Sequence, residues 1–390
     1  MTPMQTPGQI QISQTPRPAD FDRSRRGPVV LVGASVRAAA ESARIAGFSP
    51  IAVDHYGDRE TLAAARRWYG LDDFLDSAES RPLDRIVPKR APIAIVGGLQ
   101  SGYRWIGPTR LPFWGASPEQ FLSCDRPEFL SDLAAHAAVR FPETRSAGAA
   151  SPGWLVKRRG SSGGLGVSYS EGVGEIPAGA ILQRPVRGRL CGASFFGLGD
   201  RAMLLGVCRL LKKRIGPHPF VFAGALGPIP LSVASVHSLD RLGDAVCCLS
   251  PLVGPFNIDV VLQHDTVTLL EVNPRWSASM ELVERAWGAT LNEPCSMFDE
   301  SADWIRRVEQ IALDRGGVFP SDRAFIKRVL FARTDRRVVA TDFDGPPSDD
   351  RWVWKDVPRR PTDVRRHEPL ATLIAPLERM SLQQAFRVMV

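Results

Sequence analysis

Residues 256–279 read FNIDVVLQHDTVTLLEVNPRWSAS. The stretch predicts two strands with His264 and Asp265 in the turn between them. In an extended strand alternate side chains share a face, so Glu271 and Asn273 point one way while Leu270 and Val272 point into a core. An antiparallel hairpin of this length brings Asp259 opposite the Glu271 and Asn273 face. Two carboxylates and an amide are hard oxygen ligands of the kind magnesium takes from protein when phosphates supply the rest. Arg275, just past the strand, is placed to reach phosphate oxygens.

Around this hairpin lies a chain of 390 residues, long for one core and expected to form two or three domains. Apolar residues make up 44% and charged residues 23%, the balance of a soluble globular protein. The formal charge is +7, carried mainly by arginine, for only six residues are lysine. Basic charge this dispersed, without interleaved aromatics, argues against a nucleic-acid partner. Cys124, Cys191, Cys208, Cys247, Cys248 and Cys295 show no CxxC spacing, which fits reduced thiols in a cytoplasm. No apolar run approaches the ~18 residues of a membrane span, so no membrane partner is expected. The Pro-, Gln-, Ser- and Thr-rich start reads as a disordered tail over residues 1–26.

A Rossmann-like domain is expected over 27–118. A buried strand at 28–33 leads to an Ala-rich helix closed by Gly47, and a second strand ends at Asp54. The acid about 20 residues past the first glycine resembles a dinucleotide site. Yet the turn reads GASVR and lacks the GxGxxG glycines, so a domain without a dinucleotide is the favoured reading. IAIVGG at 93–98 adds another parallel strand, and the Gly- and Pro-rich stretch at 107–118 reads as the domain's exit.

From 119 a helix is expected to end near His136, and WLVK at 154–157 reads as a strand running into RRGSSGGLGV. A Walker loop leads into a helix and puts its lysine last; here Lys157 comes first and a second strand follows. Glycine backbone can fold over phosphates with exposed amides, while the lysine offers a point charge from below. With six lysines in the chain, one at this spot is notable. AILQRPVRG at 180–188 then reads as an apolar strand turning into a hinge able to pinch an adenine ring.

Together LVKRRGSSGGLGV (155–167), ILQRPVRG (181–188) and LLEVNPRWS (269–277) resemble the ATP-grasp superfamily. The resemblance implies an α/β and α+β fold: a Rossmann-like pre-ATP-grasp domain (27–118), a two-lobed ATP-grasp core (119–315) and a small β-rich carboxy-terminal cap (316–390). It implies ATP and Mg2+ (or Mn2+) as cofactors. Lys157 would contact the α- and β-phosphates, Ser161, Gly163, Gly164 and Gly166 would form the covering loop, and Gln183, Arg184, Pro185 and Val186 would line the adenine. Asp259, Glu271 and Asn273 would hold the metal, and Arg275 would face the γ-phosphate or an acyl phosphate, so that Lys157 and Arg275 are the catalytic pair. Arg126 stands where the family commonly has a second lysine, and Arg184 where many members have an acid.

The short strands expected after 316, FIKRVLFA, RVVATDF, WVWKDVP and HEPLATLIA, resemble the cap of ATP-dependent carboligases and carboxylase subunits. Among such proteins the chain resembles those of the tyramine–glutamate ligase kind, tied to methanofuran- and tetrahydromethanopterin-type cofactor synthesis. The implied activity joins a small-molecule carboxylate to an amine through an acyl phosphate, in a cytoplasmic protein and as a homodimer. The alternatives are an ATP-binding scaffold with decayed catalysis and a Rossmann oxidoreductase. Arg209, Lys212, Lys213 and Arg214 read equally as an anion cradle or a solvated strand end, and His218, His237 and His264 stand singly.

Overall fold

The computed structural model describes residues 26–75, 83–88, 90–98, 106, 109–314, 319–344 and 352–377. The tail expected over 1–26 lies outside them but for Arg26. The first domain carries β1 (Pro28–Val32), α1 (Arg37–Ile45), β2 (Ser49–Asp54), α2 (Arg59–Ala64), β3 (Arg67–Gly70), α3 (Asp72–Leu75), α4 (Leu83–Ile86) and β4 (Ile93–Ile95). Its sheet runs β3-β2-β1-β4, parallel throughout. Continuous apolar runs such as Val29–Val32, fully buried, are what a parallel sheet covered on both faces requires. The stretch expected as an exit instead returns to this sheet: Phe113 bridges Ile93 in parallel, and Trp114 N–H donates to the Ile93 carbonyl.

Two helices follow, α5 (Pro118–Cys124) and α6 (Pro127–His136). Ser117 and Gln120 form a reciprocal capping box at the start of α5. A small antiparallel sheet then orders β5 (Thr144–Arg145), β8 (Ala180–Gln183), β6 (Leu155–Arg158) and β7 (Val167–Tyr169). The large sheet contains β9 (Arg189–Leu198), β10 (Ala202–Ile215), β11 (His218–Gly227), β12 (Val253–Gln263) and β13 (Thr266–Asn273). Against it pack α7 (Val233–Leu249) and α8 (Met280–Leu291), followed by α9 (Ala302–Asp314). Gly243 within α7 lets the helix lie on Phe195, where a Cβ would overlap the ring; Phe195 in turn stacks on Phe256 at 5.1 Å. Among the described residues no helix is long and apolar enough to cross a membrane.

The carboxy-terminal strands are β14 (Phe325–Phe331), β15 (Arg336–Val338), β16 (Val353–Lys355), β17 (Thr362–Val364) and β18 (Pro369–Pro376). The β-rich carboxy-terminal part is continuous with the large sheet. β14 pairs with β11, and β18 and β16 continue outward, giving the order β13-β12-β9-β10-β11-β14-β18-β16. Among the described residues β15 and β17 form a ribbon of their own. The strand expected through RVVATDF stops at Val338, because the Asp342 carboxylate accepts from Val339 N–H and turns Ala340–Phe343 into a tight helical turn.

One buried ion cluster ties the parts together. Arg37 of α1, 1% exposed, donates to both oxygens of Glu281 on α8 at 2.5 and 2.9 Å and to Asp356 at 2.8 Å. Lys327 of β14 reaches the same Glu281 at 2.9 Å. Burial alone would lower the Arg37 pKa, but Asp356 and Glu281 outweigh it and raise it. Removing one member strands a buried charge, at about 3–5 kcal/mol.

Candidate functional site

The β12–β13 hairpin begins from a two-residue turn, with His264 at φ 52°. Gln263 faces Thr266, and the ladder is regular up to Val260 opposite Leu269. Continued regularly, it would set Asp259 against Leu270. A bulge intervenes, so that Asp259 faces Glu271 and Asn257 faces Asn273. Because the side-chain period is two, this one-residue slip is what brings both carboxylates to one face.

Each carboxylate is aimed by an amide. Asn257 Nδ2 donates to Asp259 Oδ1 at 2.7 Å, and Asn273 Nδ2 donates to Glu271 Oε1 at 3.0 Å. Arg275 Nη2 holds Asn273 Oδ1 at 2.8 Å. Gly192 of β9 lies opposite Asp259, and a Cβ there would come within 3.2 Å of Asn257 Oδ1 and 3.4 Å of Asp259 Oδ1. Gly97 from the first domain backs Arg275 in the same way, at 3.3 Å.

The charges are interdependent. Burial and then the facing Glu271 lift Asp259 well above its ordinary value, and a hydrogen bond links the two carboxyl groups. Burial pushes Glu271 up too, but the Lys157 ammonium and the Asn273 amide hold it below its ordinary value. Burial lowers Lys157 and Arg275 against the pull of the same two carboxylates. Two facing carboxylates offer hard oxygens of the kind that suit magnesium. Among the described residues no set of three His, Cys, Asp or Glu could hold a metal. The pair therefore fits a cation that takes its remaining oxygens from phosphate and water, with the Asn273 oxygen engaged by Arg275.

Lys157 approaches from the small sheet, facing Val167 on one side and Ile181 on the other. The register puts Leu155 and Ile181 on its face of the sheet, with Gln183. These two apolar residues were missed from sequence, although their two-residue spacing from Lys157 and Gln183 is a usable signal. Gln183 is 1% exposed, and its amide donates to Thr144 Oγ1 at 3.1 Å.

The glycine loop is closed on the large sheet. Gly163 and Gly164 take φ of 62° and 78°, a left-handed region that favours glycine. The Gly163 carbonyl accepts from Phe222 N–H of β11 at 2.9 Å. A side chain on Gly164 would overlap the Phe220 carbonyl, and one on Gly166 would overlap Ser161 Oγ. The Ser161 hydroxyl donates to the Arg158 carbonyl at 2.7 Å, so it shapes the loop from within. Tyr169 and Lys212 both pack on the Phe220 ring, at 5.2 and 4.6 Å.

The arginines at unusual family positions have local partners. Arg126 is the exposed N-cap of α6 and donates to Ser123 Oγ at 3.2 Å. Arg184 pairs with Glu143 at 3.1 Å and lies over the Trp154 ring at 5.2 Å; Pro185 beside it is exposed and Val186 half-buried. Of the basic cluster, Lys212, Lys213 and Arg214 lie exposed along the end of β10. In the first domain, Asp54 accepts from Val36, Tyr56 and Gly57 N–H and from Trp68 Nε1, at 2.8–3.2 Å, and is fully buried. Its acceptor sites serve the fold.

The hairpin, lysine strand and glycine loop fall within residues 125–279, which match the family described as the ATP-grasp domain. Solved structures extend the likeness along the chain. Phosphoribosylamine–glycine ligase from Thermotoga maritima aligns at TM-score 0.59 and 15% identity, covering 93% of this chain and 94% of that one. L-amino acid ligase from Bacillus licheniformis aligns at 0.60 and 11%, over 94% and 97%. The biotin carboxylase domain of Hydrogenobacter thermophilus 2-oxoglutarate carboxylase, solved with MgADP and bicarbonate, aligns at 0.61 and 12%, over 90% and 86%. No curated protein matches in sequence. The stretch that matches the ATP-grasp domain thus lies behind a parallel α/β domain. Over nearly its whole length the chain is similar in fold to these three solved structures.

Proposed function

We propose that this protein is an ATP-dependent ligase that joins a carboxylate to an amine. The observation that carries the reading is Lys157 of the small sheet set against the facing Asp259 and Glu271, with Arg275 behind them. A substrate carboxylate oxygen attacks the γ-phosphorus of ATP and ADP leaves. The amine nitrogen then attacks the acyl carbon, phosphate leaves, and the amine loses its proton. Magnesium held by Asp259 and Glu271, joined by Asn273 once its amide oxygen turns from Arg275 to the metal, would neutralise charge on the transferring phosphoryl group. Lys157 offers its ammonium to the α- and β-phosphates, and Arg275 its guanidinium to the γ-phosphate or acyl phosphate. The loop carrying Ser161, Gly163, Gly164 and Gly166 covers the phosphates and keeps water from the intermediate. Leu155, Ile181 and the Gln183–Val186 turn would receive the adenine.

Within the same proposal the protein acts in the cytoplasm and as a homodimer, the latter by analogy with the carboxylase domain, solved as a dimer. A place in C1-carrier cofactor synthesis rests on the sequence resemblance of the carboxy-terminal strands alone. The test is ADP release from Mg-ATP in the presence of pooled acids and amines. Turnover that needs both an acid and an amine is the expected result. Tight Mg-ATP binding without turnover against any pair would favour the scaffold reading.

A further inference from the structure

A cavity of about 780 Å³ lies away from the ATP cleft, where α1 and α2 of the first domain meet α8 and the chain around Cys295. Its size is that of small-molecule sites. Five carboxylates line it, and four have a cation at hand: Glu41 has Lys355, Glu60 has Arg59, Glu281 has Arg37, and Glu293 has Arg307. Among the described residues Glu284 is the exception, with hydrogen bonds but no cation. It is 7% exposed. Ser42 Oγ at 2.5 Å, Met297 N–H at 2.8 Å and Trp276 Nε1 at 3.4 Å all donate to its Oε1. Oε2 accepts from no described residue, and Glu284 is one of the side chains that line the cavity.

A carboxylate this enclosed without a counter-ion is unfavourable, and burial lifts its pKa to about 7. The rest of the wall includes Ala38, Ile45, Ala63 and Phe325, apolar surface for a hydrocarbon stem, while its cations are engaged, Arg285 by Glu281, Lys355 by Glu41 and Arg44 by the Ala63 carbonyl. We propose that this cavity is a second ligand site, for a small organic cation with an ammonium or guanidinium head on an apolar stem, and that Glu284 Oε2 is its counter-ion. Trp276, which donates to the Glu284 carboxyl, is the residue after Arg275. The proposed site stands whether or not the ligase reading holds.

Titration calorimetry on the full chain tests this, with pentylamine as the probe and pentanol as its neutral counterpart, at about pH 8, where Glu284 is ionised. Pentylamine should bind one site per chain, and pentanol should not. Glu284→Gln should weaken the amine about tenfold or more. Ala63→Met, at the exposed rim of the cavity, should weaken it without touching any carboxylate, which keeps the test decisive if the Glu284 variant folds poorly. Glu271→Gln, in the ATP cleft, should leave amine binding intact. The proposal is overturned by equal binding of amine and alcohol, by amine affinity that survives Ala63→Met, or by loss of binding in Glu271→Gln.

Discussion

Asp54 at the end of β2 and the Asp259–Glu271 pair on β12 and β13 both sit where a nucleotide site is expected, and the fold treats them in opposite ways. Four donors converge on Asp54, and none of its surface reaches solvent. Asp259 and Glu271 each take one amide hydrogen bond and turn their remaining oxygens toward each other and Lys157. Capacity to bind a ligand is therefore a matter of which lone pairs the fold leaves unengaged, and the residue type alone does not tell.

The contrast breaks first at Glu271. Glu271→Gln should cut ATP turnover on the order of 10³-fold while folding stability stays within about 1 kcal/mol, the change being nearly isosteric. Steady-state ADP release and chemical denaturation measure the two effects, and an active variant would remove the metal assignment. Lys157→Met should lower kcat/KM for ATP by about 10²-fold, since the ammonium is the charge that the small sheet aims at the carboxylates.

Two smaller effects concern carboxylates bound up in the fold. Glu284 has its pKa raised from 4.5 to about 7 by burial, so its contribution is fully present below about pH 4.5 and lost as the pH rises through about 7, a change of about 3 kcal/mol. Glu281, three residues earlier on α8, is opposite in sign: its pKa is depressed because Arg37 and Lys327 outweigh burial. Its contribution is present above 4.5 and lost as the pH falls through its lower folded value. Denaturation midpoints across pH should show the Glu284 decline, and Glu284→Gln should abolish it. Last, Asp54→Asn should cost about 2 kcal/mol by upsetting four buried hydrogen bonds and leave Mg-ATP affinity within about twofold of wild type. A large loss of nucleotide affinity there would mean that the first domain takes part in nucleotide binding after all.

Much of this was legible in the chain. Periodicity and turn residues located β1, α1 and β2, the β6–β7 glycine loop, and the β12–β13 hairpin, because each is set by neighbours close in sequence. Asn257, Leu155 and Ile181 were passed over, since an amide in a strand and two ordinary apolar residues acquire a role only from what faces them. The carboxy-terminal strands were found but their placement was not. Nothing local in FIKRVLF announces that it will pair with β11.

The sequence by itself determined the inventory: a parallel α/β opening, a lysine below a glycine loop, and two acids with an amide on a hairpin. Alternation and the αL preference of glycine act over a few residues, so a reader of the chain can apply them. Only the tertiary structure decided which acids face a cleft. The bulge beside Leu270, the closure of Gly163 onto Phe222, and the gathering of Arg37, Glu281, Lys327 and Asp356 all depend on contacts between distant segments. Among the described residues the same packing leaves Glu284 without a cation, which no stretch of the chain spells out.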